Sequence, residues 1–121
     1  MRKLIALVLL ALPLPAMADH YDVIEFKLTE ACSFETYMGV VKDFNEWGKG
    51  HGYQAEVAVK LQHTDLNTMI WLGRSANAAT FGKAWDTWRN AQSDPASTPA
   101  KLQARFAKCS TNVGRRSYDV Y

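Results

Sequence analysis

Two periodicities alternate along the chain. Residues 21–28 follow a period of two, with Ile24, Phe26 and Leu28 on one face and Val23, Glu25 and Lys27 on the other. That predicts a strand with one apolar and one mixed face. From Ser33 the period lengthens. Phe34, Met38, Val41 and Phe44 recur at offsets of four, three and three, with Tyr37 and Trp47 widening the stripe. Ser33 fits as the N-cap and Glu35 sits in the first turn, where the helix dipole favours an acid. The helix is expected to run to about Trp47 and to stop among the glycines at 48, 50 and 52. Alternation returns over residues 54–63, with Ala55, Val57, Val59 and Leu61 on one face, and Met69-Ile70-Trp71-Leu72 forms a short apolar strand. A turn at residues 65–67 joins the two as a hairpin. Ser75 or Asn77 caps a second helix carrying Phe81, Ala84, Trp85 and Trp88 at offsets 0, 3, 4 and 7. After the linker-like Ser93-Asp94-Pro95-Ala96-Ser97-Thr98-Pro99, residues 100–109 restart a helical period, with Thr98 as cap and Pro99 at the first helical position. Arg116, Tyr118 and Val120 then alternate as a last strand.

The order is strand, helix, strand, strand, helix, short helix, strand. A βαββαβ order is the ferredoxin-like α+β sandwich, one antiparallel sheet with helices on one face, here with an extra short helix before the last strand. In that fold the first and last strands are antiparallel neighbours. The end of strand one therefore lies beside the start of strand four, where Cys32 and Cys109 fall.

The amino terminus carries a different kind of signal. Arg2 and Lys3 precede an unbroken apolar run over residues 4–12, then Pro13, Leu14 and Pro15, then Ala16-Met17-Ala18. This is the order of parts of a secretory signal peptide, with cleavage expected between Ala18 and Asp19, so residues 1–18 are a leader and 19–121 a single domain. The apolar stretch is about eleven residues long, against roughly 20 for a membrane span. Export to the periplasm, or secretion, follows, with no membrane attachment after cleavage. The full chain of 121 residues has 14 Lys and Arg against 12 Asp and Glu; without Arg2 and Lys3 the two balance at twelve each. Such a chain, whose only basic cluster is Arg115-Arg116, has no nucleic-acid footprint. In an oxidising compartment Cys32 and Cys109 pair; a metal pair or a redox couple would call for a local Cys-x-x-Cys spacing that is missing.

The strand at residues 21–28, the helix ending Phe44-Asn45-Glu46-Trp47 and the helix Phe81-Gly82-Lys83-Ala84-Trp85-Asp86-Thr87-Trp88 together resemble the dimeric α/β-barrel superfamily, particularly its NIPSNAP-like and antibiotic-biosynthesis-monooxygenase-like members. The resemblance is a pattern of hydrophobic and aromatic positions over most of residues 19–121, without a catalytic signature. It implies a homodimer joined through the helix-free sheet face and a cavity between sheet and helices that holds an organic ligand or none known; here a small apolar ligand is the expectation. Tyr21, Val23, Ile70 and Leu72, or Met69 and Trp71 by register, leave both faces partly apolar, as such a dimer needs.

No nucleophile elbow, zinc-protease helix, phosphate loop, dinucleotide fingerprint or haem-attachment motif occurs, and neither a metal nor a cofactor is implied. Trp85 and Trp88 read as core. Trp47, beside a glycine loop, Trp71, on a strand, and His51, in that loop, are the candidate ligand-binding residues; no catalytic residue is assigned. His20, next to the expected new terminus, reads as part of a frayed end rather than a copper ligand. Glu25 and Lys27 read as surface charge rather than an inward polar pair. The sequence thus points to an exported binding or accessory protein, and leaves open a cofactor-independent monooxygenase-like enzyme or a purely structural partner-binding module.

Overall fold

The computed structural model describes residues 17–121. The leader assigned to residues 1–18 lies almost wholly outside them. The elements run β1 (Asp19–Leu28), α1 (Phe34–Lys49), β2 (Gln54–Val59), β3 (Met69–Ser75), α2 (Ala78–Ala91), α3 (Thr98–Cys109) and β4 (Ser110–Val120). The four strands form one antiparallel sheet in the order β2-β3-β1-β4. This is the ferredoxin-like α+β arrangement, with α3 as the additional helix before the last strand.

Strand pairing decides which side chains meet the helices. Ile24 lies opposite Trp71, and Trp71 opposite Val57, so these side chains share the helix-covered face. Met69 and Trp71 therefore belong to the core side, and Val23, Ile70 and Leu72 to the opposite, helix-free side. The core gathers Phe26, Tyr37, Val40, Val41, Phe44, Trp71, Trp88 and Leu102. Leu28 pairs with Ser110, and Cys32 and Cys109 are joined in a disulfide beside that rung. The Thr29 amide, 2.9 Å from the Cys109 carbonyl oxygen, ties the same corner.

Several boundaries differ from the periodic reading. Helix α1 passes through Gly48 to Lys49, and Gly48 is buried inside it. A Cβ there would collide with the Tyr53 carbonyl, so this glycine admits a close backbone approach and does not end the helix. The positive-φ turn comes later, at Gly52. Of the expected α1 stripe, Phe34 is exposed, and Tyr37, Val40 and Val41 take the inward positions. Strand β2 ends at Val59, so the hairpin connection is longer than a tight turn, and Leu61 is 88% exposed. Helix α2 is capped by Asn77, whose side chain accepts from the Thr80 amide at 2.8 Å. Helix α3 is capped by Ser97, one residue ahead of Thr98, so Pro99 sits in the first turn. His20 is not frayed: it pairs with Ser75 on one side and Asp119 on the other.

Candidate functional site

A cavity of about 460 Å³ opens between the helix-covered sheet face and the three helices. Its walls are mostly aromatic. Phe44 in α1 is the hub, with ring centroids 5.0 Å from Trp71, 5.4 Å from Trp88 and Tyr53, and 5.7 Å from Trp47. Most of these contacts are edge-to-face, the arrangement that aromatic quadrupoles favour. Helix α2 adds Phe81, Ala84, Trp85 and Trp88, and α3 adds Phe106.

One wall is polar. Asp22 lies on the same face of β1 as Ile24 and Phe26 and is only 1% exposed. Across the β1–β4 pairing, Arg115 grips it with two bonds: Nε is 2.8 Å from Oδ1 and Nη2 is 2.7 Å from Oδ2. Tyr53 donates its hydroxyl to Oδ2 at 2.9 Å, and in turn accepts the Trp71 indole N–H at 2.8 Å. The guanidinium also lies over the Trp85 ring, 4.3 Å from its centroid, a cation–π contact. Burial, reinforced by the Asp22 carboxylate, pushes the Tyr53 phenol far above the ordinary tyrosine range, so it remains a protonated donor at physiological pH. Tyr37, which also lines the cavity, is raised by burial too.

The chain makes this wall possible through a missing side chain. Gly73, on β3, lies directly under Tyr53, and a Cβ there would overlap the phenol ring. The glycine lets the tyrosine lie across the sheet and reach Asp22.

Of the residues expected to bind a ligand, Trp47 and Trp71 line the cavity. His51 stands behind it, stacked on Trp47 at 4.1 Å, with Nδ1 2.9 Å from the Trp47 carbonyl oxygen. Trp85 and Trp88, read from the sequence as core, line the cavity as well as packing α2. The sequence reading missed Asp22, Tyr53 and Arg115. Extending the apolar face of β1 backwards from Ile24 by two residues reaches Asp22, and an acid in that phase was the available signal. On the helix-free face Glu25 pairs with Lys60, 2.6 Å from its ammonium, and accepts from Thr68 at 2.6 Å; Lys27 is instead 4.0 Å from Asp65. Among the described residues no three His, Cys, Asp or Glu side chains converge as a metal site, and no helix is long and apolar enough to cross a membrane.

Solved structures share this fold. The chain matches no family model and no curated protein by sequence. It is similar in structure to SnoaB, a cofactor-independent oxygenase from Streptomyces nogalater, at a TM-score of 0.56 and 10% identity over 86% of this chain and 94% of that one. A Bacteroides thetaiotaomicron protein of unknown function, a possible oxidoreductase, is matched at 0.55 and 7% over 86% and 99%. The hydroxynitrile lyase from Passiflora edulis is matched at 0.54 and 14% over 88% and 96%. At these identities the likeness is one of fold.

Proposed function

We propose that the protein is an exported, homodimeric binding protein whose cavity takes a small planar aromatic molecule with a hydrogen-bonding group. The observation that carries the reading is the combination of four tryptophans with a single buried polar wall, in a volume within the roughly 300–1,000 Å³ common for small-molecule sites. The aromatic rings supply stacking area. The polar wall supplies orientation: the Arg115 guanidinium is 38% exposed and keeps N–H groups free of Asp22, and Tyr53 lies deeper.

Export is supported by the leader-like residues 1–18 and by the disulfide, and the ordered strand begins at Asp19, the residue after the expected cut. The dimer is supported by Ile70 and Leu72, half-buried beside the buried Val23 on the helix-free face, which a second copy of this chain would cover. Native mass spectrometry of protein purified from a periplasmic extract tests the assembly: a dimer of cleaved chains carrying extra mass is expected. An empty monomer that also fails to bind 1-anilinonaphthalene-8-sulfonate saturably would refute the reading.

A second reading has its own observation. The relay from Trp71 through Tyr53 to Asp22 fixes three polar groups in one wall of a largely aromatic cavity, an arrangement suited to holding a phenolic substrate while it reacts with oxygen unaided by a cofactor. Oxygen uptake with an electron-rich polycyclic phenol, abolished in Trp71→Phe while dye binding persists, separates this activity from binding alone.

A further inference from the structure

An irregularity in β4 builds the rim of the cavity. Arg115 is the direct partner of Ile24 and Asn112 that of Phe26, while Glu25 between them faces Gly114. Val113 is therefore an extra residue, a β-bulge. On a regular strand, side chains three positions apart point to opposite faces. The bulge instead turns Asn112 and Arg115 to the same, helix-covered face, and both line the cavity. The lining residues that are exposed to solvent are these two, Thr111 beside them, and Gln103 and Ala107 on α3. Phe26, Phe44 and Trp71 form the buried interior of the same cavity.

Arg115 presents more than the edge that Asp22 uses. The carboxylate takes Nε and Nη2, at 2.8 and 2.7 Å. A planar guanidinium carries donors along its other edge too, so Nη1 and the second hydrogen of Nη2 form another parallel pair, directed away from Asp22. Asp22 is 1% exposed and the arginine side chain 38%, which sets the carboxylate on the inner side and the cation at the rim. Among the described residues that line the cavity, no other is charged.

We propose that the ligand is a planar aromatic monocarboxylate, its rings among the buried aromatic side chains and its carboxylate at the rim, received by the second fork of Arg115 and the side-chain amide of Asn112. This rests on the binding reading given above and names the ligand's polar group. Two oxygens in one plane match two parallel N–H groups, as a single hydroxyl or ketone oxygen does not. At the rim the carboxylate also keeps part of its hydration, and so escapes the desolvation cost of a fully buried charge.

The test is isothermal titration calorimetry of the oxidised protein with 2-naphthoate and with its neutral counterpart 2-naphthamide. The carboxylate is expected to bind at least about 10-fold more tightly than the amide. Arg115→Lys keeps a cation beside Asp22 but has no fork, and should lower that ratio several-fold. Asn112→Asp, at an exposed position, adds a second carboxylate to the rim and should weaken 2-naphthoate about 10-fold, with a smaller change for 2-naphthamide. It keeps the proposal testable if Arg115→Lys fails to fold. Equal affinities in the wild type, or a preference for the carboxylate that is unchanged in either folded variant, would overturn the assignment and leave the cavity as a binding site. Saturable binding of neither probe would overturn the binding reading with it.

Discussion

Arg115 holds Asp22 through two parallel hydrogen bonds of 2.8 and 2.7 Å, joining residues 93 positions apart in the chain. The carboxylate is buried, the guanidinium partly wet, and the pair fixes edge strand β4 to β1 where the cavity opens. Removing the cation alone leaves a buried carboxylate with the Tyr53 hydroxyl as its remaining partner. Arg115→Met is expected to lower stability by roughly 2–4 kcal/mol, the exposure of the arginine keeping the loss moderate. Asp22→Asn in the same chain should recover part of it. Urea denaturation of the single and double variants measures both.

Tyr53 bridges Trp71 and Asp22, and its place depends on Gly73 beneath it. Tyr53→Phe strips one buried acceptor and one donor at once, an expected loss of about 1–3 kcal/mol. Gly73→Ala displaces the whole ring, with a cost in the same range from overpacking. The two differ in a second readout: dye affinity should fall modestly in Tyr53→Phe and collapse in Gly73→Ala. Equal affinities in the two variants would argue against Tyr53 shaping the cavity.

Glu25 supplies the acid-side behaviour. The hydrogen bond from Lys60, and then that from Thr68, lowers its pKa from 4.5 to about 2. The unfolded chain therefore binds this proton more readily than the folded one. Stability from this group is complete above pH about 4.5 and is lost as pH falls through about 2. Urea midpoints measured down to about pH 2 should fall along this limb in the wild type. In Glu25→Gln that part of the slope should vanish.

The disulfide closes a loop between residues 77 positions apart. Chain-entropy arguments assign such a closure about 4 kcal/mol. Cys32→Ala/Cys109→Ala, or reduction, should lower the urea midpoint accordingly, with the fold itself retained. Maleimide labelling under denaturing, non-reducing conditions should find no free thiol among residues 17–121.

Most of the architecture was legible because two physical periods write it. The alternation of β1 and the stripe Phe81, Ala84, Trp85, Trp88 of α2 are local consequences of strand and helix geometry. The meeting of Cys32 and Cys109 followed from topology. What escaped was tertiary. The alternation through Val59 and Leu61 continues past the end of β2, because Lys60 leaves the ladder to reach Glu25 on a distant strand. Ser97 competes with Thr98 for the cap of α3, and only the backbone geometry chooses. In the site, Trp47 and Trp71 were accessible to the sequence because tryptophans are few. Asp22 stands out only by its phase on β1, Arg115 looks like ordinary surface charge, and nothing local says that they meet.

The position of the disulfide also sets how the chain would respond to force. Asp19 and Val120 sit on the same rung, so tension applied at the two ends loads the β1–β4 ladder one rung at a time, from that end inward. Edge strand β4 has one hydrogen-bonded neighbour, whereas β1 is also held by β3. The unzipping then arrives at Leu28 and Ser110 and meets the covalent tie between Cys32 and Cys109. Everything between those cysteines, including α1, the β2–β3 hairpin and α2, lies inside a closed ring that bears none of the end-to-end load. Single-molecule extension of the oxidised protein should stop once β1 and β4 have paid out, and continue only after reduction.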